Sequence, residues 1–384
     1  MGKSRYLLLG FVIMCFNSLY QYSWNLLEPL FRTGFSASLV QVELGFTLFT
    51  ISSTLTQPLG GYVADREGPK RVGIIASMLS ALGFLGTSFS NHLSQFYVAW
   101  TLGSVGEGIL YSIAANLAVK WFRERRGLAT GMVTLGFGLG ATLANPFLAQ
   151  VSTFREATLP IGLTEVVSLP LLLYFSDYPK GIETGKTPLE LLKTSDWWLI
   201  YFSYIFVNVP ILVYSSSLVE IASPLPRGEL VLLLSLFPLV SGVGRPILGY
   251  LSDLMGRIRT AVMVQVVIAL GFSLVIWNLV FPSVIVVGLF SGSTLPIYFS
   301  LVGDLFGVKY STSNNALLYT GKAVIGVLGG VVFAYLYSSS PSTALVYVLG
   351  CVILGTLLFL VLIAKNRMRV GKHSATSGQG KKGG

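Results

Sequence analysis

The sequence predicts an all-α membrane protein with twelve transmembrane helices in two halves of six. Three observations support this fold class: an apolar composition, a regular series of long apolar runs, and an internal repeat. Of the 384 residues, 53% are hydrophobic and only 11% are charged, whereas soluble domains carry about 25% charged residues. This composition excludes an ordinary water-soluble globular domain.

The apolar runs supply the twelve predicted helices. A helix needs roughly 20 apolar residues to cross the hydrocarbon core of a bilayer. Runs of about that length recur along the whole chain, at approximately 6–31, 39–63, 72–89, 95–119, 128–150, 158–175, 197–219, 229–252, 260–279, 281–303, 313–336 and 343–364.

The basic residues predict the orientation of these helices. The net charge is +10, with 26 Lys and Arg residues. If the N-terminus lies inside, 21 of them fall on the inner side, three on the outer side and two within helices. This asymmetry follows the positive-inside rule, so both termini are expected in the cytoplasm and the chain in the plasma membrane. The charge therefore reports topology, and no nucleic-acid partner is expected.

An internal repeat divides the chain. GGYVADREGPKR (60–71) and LGYLSDLMGRIR (248–259) align without gaps at an offset of 188 residues, and repeats of this kind build many secondary transporters. The predicted organisation is an N-terminal half, a cytoplasmic linker, a C-terminal half and a basic disordered tail, at 1–175, 176–196, 197–365 and 366–384.

The repeated loop is also a candidate gate. A carboxylate at the inner end of a helix can pair with nearby basic residues or with a neighbouring helix end, and so hold one of two alternating states. The alternative is a charge cluster that only sets topology, with surface ion pairs of little energy. The residues predicted to form the gate are Asp65, Arg66 and Arg71, with Lys70 as a further partner, and Asp253 and Arg257 in the second copy.

Two cations lie inside apolar segments. Arg245 precedes Asp253 by eight residues, or about 12 Å of helix, and Lys322 lies about 15 Å into its helix. Each costs roughly 2.5–3.5 kcal/mol on insertion scales. The repeat counterpart of Arg245 is Gln57, so the shared packing of the motif does not require an arginine, which favours a binding role.

The acids available to neutralise these cations are few. By position most of them lie near helix ends on the outer side, and only Glu107 is clearly at mid-membrane. The acids within apolar runs are Glu28, Glu43, Glu107, Glu165 and Glu220. One acid cannot neutralise two cations, which favours an anionic substrate over a purely structural pairing. Glu107 itself has two readings: a proton-coupling residue, or a salt-bridge partner of Lys322 or Arg245.

Polar and aromatic residues on several helices are predicted to line a compact pocket around the cations. Aromatic walls with a few hydrogen-bonding groups are typical of small-ligand sites. Each set taken alone is more typical of helix packing, and the convergence with the cations favours a site. The candidates are Tyr20, Gln21, Trp24, Tyr111, Asn145 and Tyr319.

The motif GGYVADREGPKR and its second copy resemble the major facilitator superfamily signature, which implies a major facilitator fold. Further segments resemble the oxalate/formate antiporter family and its relatives, the monocarboxylate porters: KWFRERRGLATG (120–131), SGVGRPILGYLSD (241–253), GDLFG (303–307) and LYTGKAVIG (318–326). In oxalate/formate antiporters, an arginine and a lysine at the matching positions hold the two ends of a dicarboxylate. The resemblance assigns these roles to Arg245 and Lys322.

The expected function is therefore exchange of a small carboxylate, such as oxalate for formate, by a monomer in the lipid bilayer without a cofactor. Proton-coupled monocarboxylate porters carry an acid where this chain has Ser241 and a lysine in the first helix, where it has none. Proton-coupled monocarboxylate symport and transport of an unrelated solute remain the alternatives, and a non-transporting sensor has little cytoplasmic chain to signal with. An enzyme is not expected, because no nucleophile is paired with a base and metal ligands do not cluster.

Overall fold

The computed structural model describes residues 3–179, 181, 184–223 and 225–379. These residues are predominantly helical, as predicted, and the β-bridge recorded among them pairs Gly185 with Gly307. Ten helical segments in this part of the chain are long and apolar enough to cross a membrane. The two remaining predicted runs, 6–31 and 39–63, are each covered by a pair of consecutive helices.

The N-terminal half contains eight helices, because its first two predicted segments are each broken in two. Their bounds are α1 Ser4–Tyr22, α2 Trp24–Phe35, α3 Leu39–Leu55, α4 Gln57–Glu67, α5 Pro69–Ser88, α6 Leu93–Trp121, α7 Arg126–Leu148 and α8 Phe154–Leu173.

A short helix in the linker, α9, precedes the C-terminal half, in which two segments are also broken. The bounds are α9 Pro188–Leu192, α10 Ser195–Val207, α11 Val209–Ile221, α12 Arg227–Met255, α13 Arg257–Ile276, α14 Val280–Phe306, α15 Ser311–Tyr319, α16 Gly321–Gly326, a π-helical turn Val327–Val332, α17 Phe333–Ser339 and α18 Pro341–Gln379.

Helix α18 differs from the expectation for the C-terminal tail. The tail was predicted to be disordered from residue 366, but the helix continues to Gln379. Residues 366–379 contain no proline, so the backbone hydrogen bonds that begin in the apolar part of α18 meet no obligatory stop. Residues 380–384 lie outside the described residues.

The helix breaks have local causes. Pro58 and Pro210 each stand in the first turn after a break, at Thr56 and Asn208. Proline has no N–H to donate, so it is tolerated at a helix start but interrupts a continuing helix. At the break between α1 and α2, at Ser23, a side chain binds the backbone. The Nδ2 of Asn145 donates to the carbonyl oxygen of Tyr22 at 3.2 Å.

The two halves meet along α7 with α12 and along α3 and α4 with α15 and α16. Small residues allow the contact between α7 and α12. A Cβ atom on Gly138 would lie 2.4 Å from the carbonyl oxygen of Pro238, and one on Gly131 would lie 2.4 Å from that of Arg245. The helices therefore approach closely enough for backbone atoms to touch, as small residues permit between membrane helices.

Candidate functional site: a cavity between the halves

A small cavity of about 40 Å³ lies between the two halves. It is bounded by the end of α1, by α6 and α7 of the N-terminal half, and by the broken segments α10–α11 and α15–α16 with α12 and α14. A water-sized group occupies roughly 10–15 Å³ on this measure, so the enclosed space suits a molecule of only a few non-hydrogen atoms.

Arg245 enters this cavity from α12 and is only 4% exposed. Its Nη1 donates to the carbonyl oxygen of Thr134 across the interface at 2.9 Å, and its Nε donates to that of Ser241 at 3.3 Å. The side chain of Tyr111 also interacts with it. A guanidinium has five N–H donors, so these contacts orient Arg245 without using all of its donors.

Lys322 enters the same cavity from α16 and is 3% exposed. Among the described residues its Nζ has no hydrogen-bond partner and no carboxylate within 4.0 Å. It lies 5.0, 5.2 and 5.9 Å from the ring centroids of Phe49, Tyr319 and Phe137. Cation–π attraction offsets part of the lost hydration, but the three N–H donors of the ammonium remain without an acceptor.

The two cations share one aromatic neighbour. The Cζ of Arg245 lies 5.3 Å from the ring centroid of Phe137 and the Nζ of Lys322 lies 5.9 Å from it. The two charged groups are therefore no more than about 11 Å apart. The stacked rings of Tyr111 and Tyr319, with centroids 4.7 Å apart, line the same cavity.

Glu107 is buried in α6 behind this cavity, at 1% exposure. Its charge interacts with that of Lys322, yet no salt bridge within 4.0 Å joins them among the described ion pairs. Its Oε1 has no hydrogen-bond partner there either. The salt-bridge reading of Glu107 therefore finds no support among the described ion pairs.

Three of the predicted cavity residues lie elsewhere. Tyr20 packs against Phe49, Phe84 and Trp100 in the N-terminal half, and its hydroxyl donates to the carbonyl oxygen of Ser80 at 2.7 Å. Trp24 packs in the same aromatic group. The spacing of Tyr20 and Trp24 correctly places them on one face of the segment, but spacing alone does not determine which face meets the cavity.

Asn145 is the third residue whose position differs from the prediction. Its Nδ2 binds the carbonyl oxygen of Tyr22, and its Oδ1 accepts from the hydroxyl of Ser23 at 2.7 Å. Both polar atoms of its amide group are thus used in hydrogen bonds at the break between α1 and α2, one to backbone and one to a side chain. Gln21, Tyr111 and Tyr319 do line the cavity.

Sequence reasoning missed several cavity residues. They are Phe137, Tyr22 and Thr294. Phe137 stands between two glycines that pack against other helices, and Tyr22 directly precedes the break at Ser23. Thr294 donates to the Oδ1 of Asn208 at 2.6 Å. Helix breaks provide the one usable signal, because broken helices in membrane proteins commonly flank binding sites.

Glu165 is a second buried acid at mid-length in a helix, where the sequence predicts only Glu107. It lies in the middle of α8 and is fully buried. Its Oε2 accepts from the hydroxyl of Ser80 at 3.1 Å. This acid is therefore bound within the N-terminal half and does not line the cavity.

The first copy of the repeated loop forms a buried latch between the halves, at the end of the bundle that carries Asp65 and Asp253, which we call the basic end. Asp65 pairs with Lys120 of α6 at 2.9 Å, and both side chains are almost fully buried. Its Oδ2 accepts from the N–H and the hydroxyl of Ser313, both at 2.8 Å. Lys120 also donates to the carbonyl oxygens of Val308 and Lys309.

The predicted partners of Asp65 within its own loop do not pair with it. Arg66 donates to the hydroxyl of Tyr62 at 3.3 Å, and Arg71 is exposed. Arg66 and Arg71 are exposed, whereas the side chain of Asp65 is buried against Lys120 and Ser313, so adjacency in sequence does not bring them together. The alternative partner, a neighbouring helix end, is found at Ser313 in the first turn of α15.

The second copy of the loop repeats the arrangement. Asp253 accepts from the N–H groups of Gly127 at 3.1 Å and Leu128 at 2.9 Å, at the start of α7, and pairs with Arg257. Arg257 also binds Asp304, which pairs with Arg126 of the other half. Both copies thus place a carboxylate at the first turn of a helix in the opposite half, where the helix dipole favours it.

Contacts between the halves also close the opposite end of the cavity. The hydroxyls of Tyr22 and Ser241 are hydrogen-bonded at 3.1 Å, and Gln21 and Asn25 donate to Ser215 at 3.3 and 2.9 Å. The cavity is therefore enclosed between two sets of interactions that join the halves.

Comparison with known proteins places this architecture in a family. The model of the Major Facilitator Superfamily matches the chain twice, over residues 7–225 and 198–382. A solved structure of the human organic anion transporter MFSD10 superposes with a TM-score of 0.75 at 16% identity, covering 94% of this chain and 100% of that one. That likeness supports the fold.

Two relatives are similar in sequence over most of their length. An uncharacterized 38 kDa protein of Thermoproteus tenax, encoded in a 23S RNA operon, is 46% identical over 89% of this chain and 91% of its own. The oxalate:formate antiporter of Oxalobacter formigenes is 29% identical over 85% of this chain and 82% of its own.

Proposed function

Because the chain belongs to the Major Facilitator Superfamily of membrane transporters, we propose that it exchanges small carboxylates by alternating access. The substrate binds between Arg245 and Lys322. More specifically, the substrate is a dicarboxylate such as oxalate, which the protein exchanges for formate or another carboxylate. The similar oxalate:formate antiporter of Oxalobacter formigenes supports this choice of substrate.

The observation that carries the proposal is the unpaired ammonium of Lys322. It is 3% exposed and has no hydrogen-bond partner among the described residues. An uncompensated buried charge is strongly unfavourable, and intramembrane cations commonly mark substrate pathways. A carboxylate in the cavity would supply the missing acceptor.

The separation of the cations favours a short dicarboxylate. The charged groups are at most about 11 Å apart, and a charge-assisted hydrogen bond takes roughly 2.8 Å at each end. For a ligand that lies on the line between the two cations, at most about 5–6 Å then remains between its outermost oxygen atoms. Two directly bonded carboxylates fit within this limit.

The same charges favour exchange over net transport. An empty cavity holding two cations resists closure, because it removes both charges from water without a countercharge. A bound carboxylate lowers that cost, so the protein returns across the membrane more readily when loaded. Rocking of the halves opens one of two sets of contacts. One set joins Asp65 and Lys120 to Ser313, Val308 and Lys309 of the other half, and the second set involves Tyr22 and Gln21.

We also propose the topology that the basic residues predict. The basic end faces the cytoplasm, both termini are cytoplasmic, and the chain acts as a monomer in the plasma membrane. The halves 1–175 and 197–365 move against each other, and the segment 176–196 links them.

Proton-coupled symport is the second candidate, favoured by the burial of Glu107 near Lys322. Proteoliposomes loaded with unlabelled oxalate separate the two. We expect labelled oxalate to enter only when a carboxylate is present inside, with formate and oxalate competing best in a panel of mono- and dicarboxylates. Accumulation in empty vesicles under an imposed pH gradient would favour symport, and no uptake of any carboxylate would contradict both.

A further inference from the structure

A layer of buried amide side chains lies between the cavity and the latch. Along α6, Tyr111 lines the cavity, Asn116 follows five residues later, and Lys120 forms the latch. Along α15, Tyr319 lines the cavity and Asn315 stands one turn nearer the basic end. We call Gln57, Asn116 and Asn315 the amide layer.

Gln57 of α4 is the third member by position. A Cβ atom on Gly61 would lie 3.1 Å from the carbonyl oxygen of Thr312, so that face of α4 meets α15. Gln57 lies on the same face, one turn farther from the basic end. Since α4 runs toward the latch and α15 away from it, Gln57 stands at the level of Asn315.

The amide layer contains hydrogen-bonding groups without partners. All three side chains are fully buried. Both polar atoms of Gln57 and the Oδ1 of Asn315 lack a hydrogen-bond partner among the described residues. Buried polar groups are nearly always paired, so such exceptions call for an explanation.

The one hydrogen bond that joins two members crosses between the halves. The Nδ2 of Asn315 donates to the Oδ1 of Asn116 at 3.1 Å, and the Nδ2 of Asn116 donates to the carbonyl oxygen of Ser112 at 2.9 Å. Each of these amide groups has a second N–H hydrogen, and Gln57 has two. Separation of the halves would break the hydrogen bond between Asn315 and Asn116. The free N–H groups of all three side chains would then face the same opening between the halves.

We propose that the amide layer is a second, weaker station for the substrate carboxylate, on the path between the cavity and the basic end. This inference rests on the proposed carboxylate exchange. N–H donors bind a carboxylate, and the layer lies only about 10 Å along the helix from Lys322. Its amides are neutral, so the layer holds an anion less tightly than the two cations do. A station on a transport path must release its ligand as readily as it binds it.

The test compares the two faces of the membrane. Wild type, Asn315→Ala and Gln57→Leu are reconstituted, and initial rates of labelled oxalate exchange are measured with oxalate varied on one face at a time. We expect each substitution to raise the KM on the basic-end face at least fivefold. The KM on the opposite face and the Kd for oxalate in detergent should change less than twofold.

Asn314→Ala is the matched control, because Asn314 adjoins Asn315 in sequence and is equally buried, but its Nδ2 donates to the carbonyl oxygen of Lys186 in the linker. It should leave both KM values unchanged. A merely structural role of the layer in closing the gate would change the maximal rate and move the KM on both faces together. That outcome, or unchanged KM values in both variants, would overturn the station. Absence of oxalate exchange by the wild type would instead reject the proposed function, and the station with it.

Discussion

Replacing Lys322 with glutamine should abolish oxalate exchange, lowering its rate at least a hundredfold. The substitution keeps a hydrogen-bonding side chain of similar length but removes the charge that has no partner in the cavity. Hydrogen bonds to charged groups contribute about 1.5–3 kcal/mol, and the countercharge in a dry site adds to this. The measurement is counterflow of labelled oxalate in proteoliposomes.

Tyr20→Phe is the control for that experiment. Tyr20 was expected in the cavity, but its hydroxyl donates to the carbonyl oxygen of Ser80 within the N-terminal half. We expect the variant to exchange oxalate within twofold of wild type, with the loss of about 1 kcal/mol in stability that one hydrogen bond contributes. Normal exchange by Lys322→Gln would contradict the assigned role of the lysine.

Replacing Asp65 with asparagine should shift the protein toward a state that is open at the basic end. The carboxylate pairs with buried Lys120 and accepts two hydrogen bonds from Ser313. Removing one partner of a buried ion pair costs about 3–5 kcal/mol. Lys120 avoids much of that cost if it reaches water, so the substitution favours the state that is open at the basic end. For comparison, a bias of about 5.5 kcal/mol converts a 1:99 population into 99:1.

Spin labels can measure this shift. Cysteines replace the exposed residues Arg71 and Leu254 on the two halves, in a background without Cys15 and Cys351. The distance distribution should lengthen in Asp65→Asn. It should not change in Arg66→Gln, because Arg66 contacts Tyr62 rather than the latch. Identical distributions in wild type and Asp65→Asn would show that the latch does not hold the closed state.

Much of the candidate site was predictable because its strongest signals are energetic. A cation in an apolar helix costs free energy wherever the helix packs, so Arg245 and Lys322 could be identified before any fold was known. The repeat likewise predicted that Asp65 and Asp253 have equivalent roles, and both are found at the first turn of a helix in the opposite half.

The errors arose where three-dimensional direction decides the outcome. The spacing of Tyr20 and Trp24 defines one helix face, but which neighbour that face meets depends on the other helices. The partner of Asp65 is Lys120, which lies 55 residues away in sequence, whereas sequence proximity suggested Arg66 and Arg71. The sequence predicts only Glu107 clearly at mid-membrane, but α8 begins at Phe154 and so places Glu165 near its middle as well.

The central claim is that one small dicarboxylate bridges two buried cations, and equilibrium binding tests it most directly. Calorimetric titration of the purified protein with oxalate should give a single site in the wild type. Binding should weaken at least fiftyfold in both Arg245→Gln and Lys322→Gln, with little further loss in the double variant because the bridge needs both ends. Unchanged oxalate affinity in either single variant would contradict the two-cation site.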